Sequence, residues 1–219
     1  MRRNFFSDTP RRAICCPVLA VTTSIGGQDP GHCEGIHITL AMIGAPKLEG
    51  DPTPEEQRAI DGSAFYAQWD SGYSKQQATR PQTLGYGLTD SPAGQCAWIL
   101  EKFWAWTDND GHPEQALTKD QMLDDISLYW FTRTAGSSAR IYYESAQGRG
   151  MPNPCPVPMG VAVFPYDILQ PVRSFAERVY DIRHWSEFDR GGHFAALEVP
   201  DLLTDDIRAF YRLLRDAAM

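Results

Sequence analysis

Apolar positions along the chain fall into two regimes. Residues 18–26 are small or apolar and predict a helix, with Gly26-Gly27 as its stop. Residues 36–43 form a short apolar, β-branched run that predicts a buried strand. From Asp51 the period becomes helical. Thr53 is set to cap a helix with Pro54 in its first turn and Glu56 completing a capping box, and the pattern runs to about Trp69. Asp70-Ser71-Gly72-Tyr73 reads as a loop. Ser91-Pro92 opens a second helix carrying Trp98, Leu100, Phe103, Trp104 and Trp106. Thr118 caps a third, which continues through Phe131, and a fourth holds Ala139, Ile141, Tyr142 and Tyr143.

After Gly150 the pattern is again that of an alternating α/β domain. A proline-rich extended stretch, 151–158, leads into a buried strand at 159–164. A helix is predicted at 174–179, a short strand within 179–185 and an amphipathic helix at 202–214, where Leu203, Ile207, Phe210, Leu213 and Leu214 recur on one face. The class is therefore α/β. Residues 18–50 and 151–219 supply a partial core of about three strands, and 51–150 form an inserted helical cap. Residues 1–17 are basic, aromatic and proline-punctuated, and stand apart as an atypical N-terminal segment.

A chain of 219 residues with 42% hydrophobic residues can bury a core of its own. The formal net charge of -8 excludes a general nucleic-acid binder, which needs clustered basic residues. No run approaches the roughly 18 apolar residues of a membrane span, and the first residues lack the pattern of a signal peptide, so a cytoplasmic location is the expectation. The five cysteines, Cys15, Cys16, Cys33, Cys96 and Cys155, are oddly numbered and irregularly spaced. They read as reduced, with Cys33 and Cys96 buried. His32 and His37 flank Cys33, but no further ligand completes a metal site, and packing is the simpler reading. Neither a cofactor nor a metal is expected. A homo-oligomer is compatible with the sequence.

Chemistry concentrates near the C-terminus. In Arg190-Gly191-Gly192-His193-Phe194-Ala195-Ala196-Leu197-Glu198, two glycines free the backbone just before a histidine, and a helix-prone run follows. His193 is a candidate general base, since imidazole titrates near neutral pH. Asp167 follows the strand at 159–164, where α/β sheets gather their chemistry, and could orient that imidazole. A helix-capping aspartate is the equal alternative. Acid, then histidine, is the order in which α/β-hydrolases complete a catalytic set.

The segments Asp70-Ser71-Gly72-Tyr73, Leu88-Thr89-Asp90-Ser91-Pro92-Ala93-Gly94, Trp98-Ile99-Leu100-Glu101-Lys102-Phe103, Arg140-Ile141-Tyr142-Tyr143-Glu144, Val163-Phe164-Pro165-Tyr166-Asp167 and 190–198 together resemble the microsomal-type epoxide hydrolases, from about Val18 onward. The resemblance implies the C-terminal portion of an α/β-hydrolase with a helical cap. It implies hydrolysis of a small apolar epoxide to a vicinal diol through an alkyl–enzyme ester. His193 would activate water and Asp167 would orient it. Tyr73 and Tyr142 would donate hydrogen bonds to the epoxide oxygen, with Tyr143 as the packing neighbour; a one-residue shift would exchange Tyr142 and Tyr143. Trp69, Trp98, Trp104, Trp106 and Trp130 suggest an apolar pocket wall, or core.

One part of the family pattern is missing. The position of the family's nucleophilic aspartate falls on Cys16, followed by Pro17, and the glycines of its tight turn are gone. The chain is therefore expected to be incomplete as a catalyst. A non-catalytic remnant or binding protein that keeps the cap pocket is the alternative. A cysteine nucleophile is disfavoured by Pro17 and the lost glycines, and a general esterase by the paired cap tyrosines.

Overall fold

The computed structural model describes residues 12–15, 19–41, 48, 50–149 and 155–217. Among these residues four strands form one parallel sheet: β1 (Arg12–Cys15), β2 (Cys33–Ile38), β3 (Met159–Val163) and β4 (Ile182–Glu187), in the order β1-β2-β3-β4. Ile36 pairs with Met159 and Val161 with Trp185. The sheet thus has one strand more than the hydrophobic pattern predicts. β1 lies within the atypical N-terminal segment, and its pairing with β2, Ile14 against Ile36, is what makes it a strand. β2 begins three residues earlier than expected and ends at Ile38, although Leu40 and Ala41 remain buried.

Two faces of the sheet carry different residues, as the two-residue period of a strand requires. On one face Ile36, Ile38, Met159, Val161 and Val163 join Cys33, Cys155, Val157 and Tyr180 in the main core. α1 (Leu19–Gln28) covers β2 there. α1 runs through Gly26 and Gly27 rather than stopping at them. A Cβ on Gly26 would lie 2.8 Å from Cys155 Sγ and from Val157 Cγ2, so this glycine serves close packing, not termination. On the other face sit His37, Gly160 and His184, against α10 (Pro200–Ala217). Phe210 is fully buried there, with its ring 6.0 Å from that of His37.

The cap is inserted between the hydrogen-bonded neighbours β2 and β3. It comprises α2 (Pro54–Phe65), α3 (Gly72–Thr79), α4 (Pro81–Asp90), α5 (Pro92–Trp106), α6 (Lys119–Thr132) and α7 (Ala135–Glu144). The capping box on α2 is formed: Thr53 Oγ1 accepts from the Glu56 amide and Glu56 Oε2 from the Thr53 amide. Ser91 and Thr118 cap α5 and α6 as expected. The expected loop at 70–73 is not one. A single π-type turn, Tyr66–Asp70, ends α2, and α3 starts at once, so Tyr73 stands in the first turn of a helix. After β3 the elements are α8 (Arg173–Ala176), β4, α9 (Ala195–Glu198) and α10; α8 and β4 are offset by a few residues from the expected 174–179 and 179–185. Among the described residues no helix is long and apolar enough to cross a membrane.

Candidate active site

Asp167 stands just beyond β3, in a turn fixed from both sides. Its own amide donates to the Phe164 carbonyl at 3.2 Å, and Gln170 Nε2 donates to the carbonyls of Phe164 and Pro165. Next to it, the Tyr166 amide donates to the Gly191 carbonyl, drawing the histidine loop against the end of β3. His193 Nδ1 consequently lies 2.7 Å from Asp167 Oδ1. Asp167 is therefore not a helix cap. Its carboxylate is 1% exposed, against 24% for the imidazole, so the acid is sheltered and the base reachable. With Nδ1–H donated to the carboxylate, Nε2 carries the lone pair and faces away from it.

Both glycines before His193 are required by geometry. Gly191 has φ +93°, the left-handed region that side chains disfavour. A Cβ on Gly192 would lie 2.5 Å from the Trp106 carbonyl oxygen, so only glycine lets the loop pass so close to the end of α5. The same carbonyl accepts the His193 amide at 2.8 Å.

Aromatic rings connect the acid–base pair to the cap. Trp106, 7% exposed, places its ring 5.3 Å from that of His193 and 5.1 Å from that of Tyr73. Tyr73 meets Tyr142 edge-on at 5.9 Å. The indole N–H of Trp106 donates to Asp70 Oδ2, and the hydroxyls of Tyr66 and Tyr73 are 2.9 Å apart. Lys102 Nζ sits 4.4 Å from the Tyr73 ring centre and 5.0 Å from that of Trp106. Burial pushes the Tyr73 phenol above the usual tyrosine range, and its hydrogen bond with Tyr66 adds to this. Burial likewise raises Tyr142. Both phenols therefore stay protonated, as hydrogen-bond donors must.

All four candidate side chains thus lie in one continuous line, Asp167–His193–Trp106–Tyr73–Tyr142, and it is Tyr142 whose ring meets Tyr73. Cys16 lies outside the described residues. The tryptophan wall is not formed as expected: Trp106 belongs to the line, but Trp69 and Trp104 are largely exposed and Trp98 and Trp130 half-buried. Of the cysteines expected to be buried, Cys33 is, while Cys96 is half-buried; Cys155 is buried as well. His32 is exposed beside Asp29, and His37 meets Asp206 on α10.

Two further carboxylates belong to the site. Glu198 Oε1 accepts from the Phe194 amide at 3.0 Å and its Oε2 from the Asp108 amide at 2.7 Å. Asp108 Oδ2 in turn accepts from the Gly191 amide at 2.8 Å. Burial raises the Glu198 carboxyl, opposed by the backbone amides of Asp108, Phe194 and Gly192 and helped by the charge of Asp108. Glu198 closes the motif around His193, so its place was visible in the sequence; Asp108 offered no comparable signal.

No family model matches the chain. It is 48% identical over 197 residues to a Stigmatella aurantiaca protein that carries the epoxide hydrolase name, covering 89% of this chain and 45% of that one. It is 41% identical to epoxide hydrolase 1 of pig (Sus scrofa), covering 89% and 49%. The structure of the juvenile hormone epoxide hydrolase of the silkworm Bombyx mori superposes with a TM-score of 0.78 at 28% identity, over 90% of this chain and 53% of that one. The chain therefore spans about half the length of the curated relatives it matches.

Proposed function

The chain belongs to the microsomal-type epoxide hydrolases, α/β-hydrolases with a helical cap, and from that premise we propose that its residues serve the hydrolysis of a small apolar epoxide to a vicinal diol. Opening the strained ring leaves an alkoxide on the former epoxide oxygen. Tyr73 and Tyr142 donate hydrogen bonds to that oxygen as its charge develops. An alkyl–enzyme ester forms in this step when a carboxylate oxygen bonds the ring carbon as that carbon's bond to the epoxide oxygen breaks; the family's position for this carboxylate falls on Cys16 here, so the residues named serve the step without supplying its nucleophile. His193 Nε2 then takes a proton from water, the resulting hydroxide attacks the ester carbonyl, and the proton held by the imidazole returns to the alkoxide as the diol leaves and the carboxylate is restored. Asp167 fixes the imidazole tautomer and balances the imidazolium charge.

One observation carries this reading: the 2.7 Å pair of His193 and Asp167 is joined through the Trp106 ring to two protonated phenols. The test is incubation with styrene oxide. A chain that carries a working nucleophile gives diol when unaltered and a stable covalent adduct in His193→Gln, detected by mass spectrometry, because the ester then forms without being hydrolysed. Absence of both from a folded protein overturns the proposal.

A second reading follows from Cys16-Pro17, which stand where the family places its nucleophilic aspartate and glycine turn. On that reading the protein binds an epoxide under the cap without opening it. Saturable binding of styrene oxide with no adduct and no diol is its signature.

A further inference from the structure

We propose that Glu198, with Asp108, is a positioning residue for His193: the two carboxylates staple the loop 191–194 to the C-terminal end of α5, so that the base moves with the cap. The proposal rests on reading His193 as the water-activating base. Four hydrogen bonds make the staple. The Phe194 and Asp108 amides donate to the two oxygens of Glu198, the Gly191 amide to Asp108, and the His193 amide to the Trp106 carbonyl. The Gly191 and Phe194 amides, on either side of His193, are thus held by side chains, and the His193 amide by the backbone of α5.

The chemistry of the acceptors is specific. Glu198 receives a backbone N–H at each oxygen, which a carboxylate can do and an amide cannot, since one end of a glutamine is a donor. Placing Glu198 beside the like charge of Asp108 is unfavourable in itself. A hydrophobic contact or a single neutral side chain would tie two loops with less electrostatic cost. The arrangement does instead fix the loop over several consecutive residues. That is what a base needs, since a shift of about 1 Å in a catalytic group costs orders of magnitude in rate. The same staple sets the Trp106 ring against the imidazole and against Tyr73, which places the phenols and the base on one rigid frame.

The test reads the imidazole itself and needs no substrate. In proton NMR, the His193 Nδ1–H donated to Asp167 gives a downfield resonance, assigned by its loss in His193→Gln. Glu198→Gln keeps size and one acceptor oxygen. It is expected to speed exchange of that proton with solvent by about fivefold, the factor that one ordinary hydrogen bond supplies. Asp108→Ala, which frees the Gly191 amide, is expected to act in the same direction and decides the matter should Glu198→Gln not fold. A staple serving stability alone lowers the thermal midpoint and leaves the imidazole proton unchanged; that result overturns the proposal. Failure of the proposed hydrolysis is read separately, in the diol assay.

Discussion

His193 and Asp167, 26 residues apart, meet at 2.7 Å because the Tyr166 amide bonds the Gly191 carbonyl and brings one loop against the other. The carboxylate is sheltered, and its Oδ2 has no hydrogen-bond partner among the described residues. Asp167→Asn preserves the shape but presents an N–H or a neutral carbonyl to the imidazole. Diol formation from styrene oxide is expected to fall by about 10⁴-fold, the scale on which loss of the orienting acid acts in a serine–histidine–aspartate triad. Loss of less than tenfold would show that His193 is oriented by something else.

Tyr73→Phe removes one phenol donor and the bond to Tyr66 while retaining the ring contacts with Trp106 and Tyr142. Ring opening is expected to slow by about 10²-fold, as for loss of one oxyanion donor. Stopped-flow measurement of adduct formation checks the step directly.

Alkaline pH offers an independent reading of the same phenol. In the unfolded chain tyrosine ionises near pH 10. Within the fold, burial first and the Tyr66 hydrogen bond second push Tyr73 higher, so its neutral form favours the folded state. The stability it contributes is fully present below about pH 10 and is lost as pH rises further. Spectroscopic titration should show a tyrosine that ionises only together with unfolding. Tyr73→Phe should remove it.

A second buried cluster governs the acid side. Asp206 on α10 meets His37 Nε2 through Oδ2, and His184 Nε2 and Ser186 Oγ through Oδ1, at 2.7, 2.7 and 2.5 Å. Burial alone would raise this carboxyl; the bonds from His37, Ser186 and His184 outweigh it and hold the group below its usual range. Its contribution is present above about pH 4 and is lost as pH falls through the depressed value. Asp206→Ala strands two imidazoles against Phe210 and is expected to cost about 3 kcal/mol in denaturant unfolding, the usual scale for removing one partner of a buried polar pair.

Two glycines in helices should respond oppositely to alanine. Gly62 in α2 has open space where a Cβ would stand, so Gly62→Ala should stabilise by about 0.5–1 kcal/mol. Gly26→Ala gains the same propensity but drives a methyl to 2.8 Å from Cys155 Sγ and Val157 Cγ2. Overpacking of about 1–3 kcal/mol outweighs the gain, and the thermal midpoint should fall.

Gly26 also marks the boundary of what the sequence discloses. The caps at Thr53, Ser91 and Thr118 are legible because each is closed by a residue three positions away. Gly26 reads as a helix stop because Cys155 and Val157, which dictate its place, are remote along the chain. Tyr73 reads as a loop residue because a π-type turn at Tyr66–Asp70 mimics a break while α3 follows without one. β1 carries no strand pattern of its own and becomes a strand through β2. At the site, Asp167 and His193 are visible from their order and from the turn residues around them. Asp108 is not, since it stands 90 residues from Glu198 and only the folded backbone makes them neighbours.

The seam between β2 and β3 pairs Ile36 with Met159, across the whole helical insert. The helices of that insert pack on one another, α4 and α3 on α7 and α5 on α6, so these contacts close over fewer residues than the β2–β3 seam does. Local contacts close quickly and distant ones slowly. Closing the floor therefore costs more chain entropy than closing the roof, and it is the docking of β3 beside β2 that creates the ledge on which Asp167 stands.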